Sequence, residues 1–133
     1  MSQPISSLME RQVWSVGLDD TVQAIEAQMA AKRLSWVPVQ ESNGVVLGVI
    51  SASDLLRFHA DKKDPSKVCA WQLCTYKPIT VRPDASVSEV AGLMVEKSLH
   101  YVVVTEDADI QGMLSSLDFV RIFISSPSVP PRR

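Results

Sequence analysis

Apolar and polar positions along the chain switch between two periods, and they do so twice. Val22, Ile25 and Met29 fall at i, i+3 and i+7, the stripe of a one-faced helix, and Val87, Val90 and Met94 repeat it. A short β-prone piece precedes each stripe, Val13–Val16 in one case and Ile79–Val81 in the other. Thr21 and Ser86 stand where the first helices start, and Ser86 with Glu89 fits a capping box. Two apolar runs follow each helix. They are Trp36–Gln40 and Val45–Ile50 around the tight-turn signal Ser42-Asn43-Gly44, then Tyr101–Thr105 and Ile110–Leu114 around Asp107-Ala108-Asp109. A closing helix begins near Ser51 or Ser115 and carries Leu55, Leu56 and Phe58, or Phe119, Val120, Ile122 and Phe123. The predicted order is β-α-β-β-α, twice, a mixed α/β (α+β) fold.

Direct superposition supports the duplication. With a shift of 65, Val16, Asp19, Val22, Met29, Lys32, Leu34, Val37, Val39 and Glu41 meet identical residues. After a one-residue deletion in the loop, Gly48, Ser51, Asp54 and Arg57 meet Gly112, Ser115, Asp118 and Arg121. One copy buries too little surface to stand alone, so the two are expected to share one core with pseudo-two-fold symmetry. The expected boundaries are one module over 1–125, with repeat 1 at 5–60, repeat 2 at 70–125 and a disordered tail at 126–133. A linker helix is expected from Pro65 to about Leu73, with Asp64 as its N-cap.

Composition narrows the function classes. Thirteen Lys and Arg against fifteen Asp and Glu leave no basic excess for general nucleic-acid binding. No apolar run is long enough to cross a membrane and no signal peptide is read, so a cytoplasmic location is expected. Cys69 and Cys74 lack neighbouring His or Cys and make a poor metal site; two reduced thiols are expected. No phosphate-binding glycine loop, His-x-x-x-His pair or Gly-x-Ser-x-Gly elbow appears, and no Ser/Asp pair has a nearby base. No catalytic residue, metal or required cofactor is assigned.

The doubled elements Gly48-Val49-Ile50-Ser51-Ala52-Ser53-Asp54 and Gly112-Met113-Leu114-Ser115-Ser116-Leu117-Asp118, in this element order, resemble a tandem CBS domain pair, or Bateman module. Trp36-Val37-Pro38-Val39 is similar to that family's strand with a Pro-Val step, and Val102-Val103-Val104 departs from it. The resemblance covers about residues 5–125. It implies a regulatory module that binds adenosine-containing molecules (AMP, ADP, ATP, S-adenosylmethionine or a dinucleotide such as NAD) in clefts between the repeats. It also implies a homodimer, with output through conformation or an effector protein. The alternative is a dimerisation or protein-interaction module whose clefts are unoccupied or used differently.

Asp54 and Asp118 are acceptor-only groups suited to the paired hydroxyls of a ribose. Ser51 and Ser115 sit where strand becomes helix, a place suited to phosphate. Ser15 and Thr80 lie on the opening strands, where the resemblance puts the adenine. Val37, Ile50, Val102 and Leu114 are candidates to sandwich the base, His100 to line the second cleft, and Arg121, with its counterpart Arg57, to reach a phosphate. Gly48 and Gly112 suit a close approach to the backbone. Ser-x-x-Asp is equally a helix-capping motif, so capping alone also accounts for the pair.

Overall fold

The computed structural model describes residues 3–76 and 78–125. In chain order the elements are β1 (Val16–Gly17), α1 (Val22–Lys32), β2 (Trp36–Gln40), β3 (Val46–Ser51), α2 (Ala52–Ala60), α3 (Ala70–Leu73), β4 (Thr75–Tyr76), β5 (Thr80–Val81), α4 (Val87–Glu96), β6 (Tyr101–Glu106), β7 (Asp109–Ser115) and α5 (Ser116–Ser125). One sheet runs β1-β2-β3-β4 and the other β5-β6-β7. In each, the opening strand is parallel to the second, which is antiparallel to the third.

Local chemistry sets the helix starts. Thr21 Oγ1 accepts from Ala24 N at 3.1 Å and Ser86 Oγ accepts from Glu89 N at 3.1 Å. Each cap satisfies an amide that the first turn leaves without a partner, worth about 1 kcal/mol. α1 ends at Arg33, which adopts the left-handed conformation. Between β2 and β3, Gly44 N donates to Glu41 O at 2.9 Å and Gly44 takes φ 90°, so the chain turns over Ser42 and Asn43 with the glycine just after.

The chain forms two compact units, residues 14–78 and residues up to 13 with 79 onward. Each has its own apolar core. Val22, Ile25, Met29, Val37, Val39, Ile50 and Phe58 build the first with Ala70 and Cys74. Val87, Val90, Met94, Val102, Val104, Leu114 and Phe119 build the second with Ile5 and Met9. The segment before β1 therefore belongs with repeat 2, and the linker after α2 with repeat 1.

These two segments do equivalent work. Thr21 bridges Cys69 as Ser86 bridges Pro4, and Glu10 pairs with Met113 where β4 pairs with β3. Both sheet glycines lie under them. A Cβ at Gly48 would collide with the Thr75 carbonyl oxygen, and one at Gly112 would sit 2.7 Å from Met9 Sδ and 2.8 Å from Glu10 O. The close approach expected at these glycines is made by the chain's own backbone.

The linker helix is shorter than expected. Asp64 Oδ1 accepts from Ser66 N at 2.9 Å and Ser66 Oγ at 2.7 Å, capping a turn over Pro65–Lys67. The Pro65 and Val68 carbonyls accept from Gln23 and Val22 at the start of α1, which holds this stretch out of a helix. Cys69 and Cys74 flank α3 as its N- and C-caps and are unpaired thiols. Burial pushes the Cys74 thiol up from its ordinary value. The expected tail at 126–133 lies outside the described residues.

Candidate functional site

The Ser-x-x-Asp element forms the same structure in both repeats. At the end of β3, Ser51 N and Ser51 Oγ donate to Asp54 Oδ2 at 2.8 and 3.0 Å, and Asp54 N donates back to Ser51 Oγ at 3.3 Å. At the end of β7, Ser115 N and Ser115 Oγ donate to Asp118 Oδ2 at 2.7 and 3.2 Å. The next amide in line is taken too, since Ala52 N donates to Ser35 O and Ser116 N to His100 O, each at 2.8 Å. The strand-to-helix turn therefore keeps fewer amides for a phosphate than a bare helix N-terminus would.

Both carboxylates hold one oxygen, Oδ2, against the turn. Their other oxygens differ. Asp54 Oδ1 accepts from Arg57 Nη2 at 2.8 Å, and the Asp54 side chain is 12% exposed. Asp118 Oδ1 lies 3.7 Å from Arg121 Nη1, beyond hydrogen-bond distance, and its side chain is 26% exposed. A carboxylate has about four acceptor positions. The serine uses two of them in each repeat, and Arg57 takes a third in the first repeat only.

The opening strands place the other hydroxyls. Ser15 lines an open cleft of about 500 Å³ with Asp19, Asp20, Gln40 and Glu41, and its hydroxyl donates to Gln40 Oε1. Gln40 in turn donates to Gly44 O at 2.8 Å. Nothing in the sequence singled out Gln40; its role comes from the parallel register that sets Val16 beside Val39. Thr80 is exposed on β5 beside Val103. Since Trp36 pairs with Ser51 and Tyr101 with Ser115, both opening hydroxyls stand two residues along and two strands across from the capped serine. Strand geometry makes that about 12 Å.

Val37, Ile50, Val102 and Leu114 do not offer a wall to a base. The period-2 alternation of the strands turns them toward the helices, and each is 0–1% exposed inside its repeat's core. Val37 pairs with Ile50 and Val102 with Leu114, so they support the sheet beneath the turn. Trp36, Val49, Val103 and Met113 occupy the alternate positions and are buried as well. His100 is exposed and lines, with Phe119 and Phe123, a cavity of about 390 Å³ beside α4 and α5. Its carbonyl serves the turn.

Of the remaining aromatic residues, Trp14 lies under Lys32 Nζ, 3.6 Å from the ring centroid, and Trp71 is exposed. His59, in the last turn of α2, meets Glu26 Oε2 at 2.6 Å and ties α2 to α1. Among the described residues, no group of three or more His, Cys, Asp or Glu is placed to hold a metal, and no helix is long and apolar enough to cross a membrane.

Comparison with known proteins agrees with this architecture. The chain is 28% identical over 112 residues to the uncharacterized protein YlbB of Bacillus subtilis, covering 84% of this chain and 76% of that one. It spans 44% of MJ0188 of Methanocaldococcus jannaschii and 35% of arabinose 5-phosphate isomerase KpsF of Escherichia coli, so these relatives are much longer. CBSX2 in complex with AMP superposes with TM-score 0.78 at 21% identity, covering 92% of this chain and 96% of that one. The CBS domain pair of protein MJ0100, in complex with 5′-methylthioadenosine and S-adenosyl-L-methionine, superposes with TM-score 0.83 at 18% identity, covering 92% and 97%. The CBS domain model matches residues 5–61 and again 70–125. Two matched copies of the Ser-x-x-Asp turn, each on its own sheet and closing helix, are thus two CBS repeats, and the chain belongs to the CBS domain family.

Proposed function

We propose that the chain is a regulatory binding module for an adenosine-containing ligand, and not an enzyme. The carrying observation is the repeated carboxylate, fixed through Oδ2 by its serine and offering Oδ1 outward. A ribose presents two adjacent hydroxyl donors, which suit an acceptor-only group already held in place. Ser51 with Asp54, and Ser115 with Asp118, form the ribose ends of two sites. Ser15 and Thr80, about 12 Å away by strand geometry, mark the adenine ends. Arg57 and Arg121 are the cations nearest each carboxylate and serve a phosphate group. Support also comes from the AMP held by CBSX2 and the adenosyl compounds held by MJ0100.

The reading takes no cofactor. AMP, ADP, ATP, S-adenosylmethionine and NAD are the ligands to test, and signalling passes through conformation or the affinity of an effector protein. A ligand shifts such a module only by binding one state better than another.

The test is thermal unfolding of the full chain against these five compounds, with Asp54→Ala and Asp118→Ala alongside. Ligand at a hundredfold excess over Kd stabilises the native state by about 2.7 kcal/mol. A shift with one ligand, lost in one variant, identifies ligand and site together. No shift with any compound, from folded protein, rejects the proposal in favour of an interaction module.

A further inference from the structure

The cleft of about 500 Å³ at the end of β1 is lined chiefly by hydrogen-bond acceptors. Gln40 sets that character. A carbonyl oxygen only accepts, so Gly44 O, 2.8 Å away, fixes the Gln40 amide nitrogen toward the β2–β3 turn. Oε1 is thereby turned to Ser15, whose hydroxyl donates its one proton to it. Ser15 Oγ and Gln40 Oε1 can then only accept from a further partner. The amide of Gly17, the last residue of β1, is engaged as well, donating to Asp20 Oδ2 at 2.8 Å. Asp19, Asp20 and Glu41 add carboxylates to the same lining. Repeat 2 is built otherwise. With the shift of 65, Thr105 stands for Gln40, Ala85 for Asp20 and Arg82 for Gly17. Arg82 Nε lies 3.3 Å from Asp84 Oδ1 and Arg82 Nη2 3.7 Å from Glu106 Oε2, so a guanidinium meets the carboxylates that match Asp19 and Glu41.

We infer that the cleft of repeat 1 admits a 6-aminopurine and rejects a 6-oxopurine, with Gln40 as the specificity-determining residue. The inference rests on the adenosine reading above, which sets the base beside Ser15, and adds the group that selects the base. An exocyclic 6-amino group brings N–H donors, whereas a 6-oxo group brings lone pairs. In the cleft the amine replaces water as the partner of Ser15 Oγ and Gln40 Oε1. That exchange is nearly even, so adenosine gains little in absolute affinity. A 6-oxo group displaces the same water and sets its lone pairs against acceptors and carboxylates, so selection works by rejection. A freely turning glutamine would offer its amide nitrogen to such a group instead. Gly44 O holds that nitrogen, and turning the amide over would set Oε1 against another oxygen. In repeat 2, Arg82 supplies donors and the Thr105 hydroxyl both donates and accepts, so the 6-position is not discriminated there.

The test is titration calorimetry of the full chain with adenosine and with inosine, which carries oxygen in place of the 6-amino group. Asp118→Ala leaves the site of repeat 1, and Asp54→Ala leaves that of repeat 2. In the Asp118→Ala chain adenosine binds about tenfold more tightly than inosine, the size of one lost hydrogen bond. In the Asp54→Ala chain the two nucleosides bind within about twofold of each other. Gln40→Thr, added to Asp118→Ala, installs the residue of repeat 2 and narrows the preference to about twofold. The readout is a ratio between two ligands on one chain, so a general loosening of the fold does not move it. Equal binding of both nucleosides by Asp118→Ala overturns the inference and leaves the adenosine reading standing. A preference that survives Gln40→Thr unchanged does the same. Failure of the folded parent to bind either nucleoside rejects the adenosine reading itself, and the inference with it. The comparison of adenosine with inosine needs no change at Gln40, so it decides the matter even where Gln40→Thr fails to fold.

Discussion

Replacing Gly48 by alanine tests how the site-bearing strand is held. The added Cβ would collide with the Thr75 carbonyl oxygen and lie 3.0 Å from Cys74 Sγ and from the Thr75 carbonyl carbon. A backbone oxygen cannot swing aside as a side chain does. β4 must retreat by about 1 Å to restore ordinary contact, and that movement strains its pairing with Gly48 and Val49. Overpacking costs about 1–3 kcal/mol and each weakened hydrogen bond about 1 kcal/mol, so the expected loss is about 3 kcal/mol. Gly112 faces the flexible Met9 thioether as well as Glu10 O, so Gly112→Ala costs less, about 2 kcal/mol. Gly92, helical with open space around it, is the control; Gly92→Ala stabilises by about 1 kcal/mol. The assay is equilibrium urea unfolding. Trp14, Trp36 and Trp71 all belong to the unit of residues 14–78, so tryptophan fluorescence reports on the repeat holding Gly48, while far-ultraviolet circular dichroism reports on both. A Gly48→Ala chain whose fluorescence transition matches the parent's, or a destabilised Gly92→Ala chain, refutes the reasoning.

Other outcomes follow from the same structure. Cys74 stays unalkylated in native protein at pH 8 while Cys69 reacts, and both react in denaturant; equal native rates count against the burial. Burial raises the folded-state pKa of Cys74, so its contribution to stability is full below the ordinary thiol range and is lost as pH rises through the raised value. Arg57→Ala removes an exposed i, i+3 pair and changes stability by less than about 0.5 kcal/mol. On the proposed reading, Arg121→Ala weakens AMP more than adenosine, measured by calorimetry; equal losses argue against a phosphate contact.

What the sequence made legible was mostly local. The starts of α1, α2 and α4 rest on Thr21, Ser51 and Ser86, whose oxygens reach amides three residues on, so spacing alone exposes them. β2 runs over Trp36–Gln40 as predicted, because a run covered on both faces reads as a nearly unbroken apolar stretch. What escaped was non-local. A helix over residues 65–73 was a fair local inference, but carbonyls at 65 and 68 are claimed by amides more than forty positions earlier. The Glu26–His59 contact joins residues 33 apart. The assignment of residues 5–13 to the second core was hidden because the matching segments, Pro4–Glu10 and Cys69–Thr75, share almost no identical residues, even though Ile5 does the work of Ala70 and Met9 that of Cys74. At the candidate site, sequence located Ser51, Asp54, Ser115 and Asp118 but not the direction of the strand residues. One step in strand parity decides whether Val37 faces a ligand or a helix.

Capping and binding are compatible in this motif because the two carboxylate oxygens do different work. Oδ2 is committed to the serine in both repeats, so the carboxylate's position is fixed without a ligand. A ligand accepted at Oδ1 then has no helix end to refold, and the ordering cost falls on the ligand alone. The repeats part company at that oxygen. In the first, an incoming hydroxyl must displace or share the guanidinium of Arg57 at 2.8 Å; in the second, Arg121 stands back at 3.7 Å. Displacing an exposed pair of this kind costs about 0.5 kcal/mol, roughly a twofold difference in affinity. On the proposed reading the second site fills first by about that factor with adenosine, which brings no phosphate for Arg57 to hold, and Arg57→Ala removes the difference for that ligand.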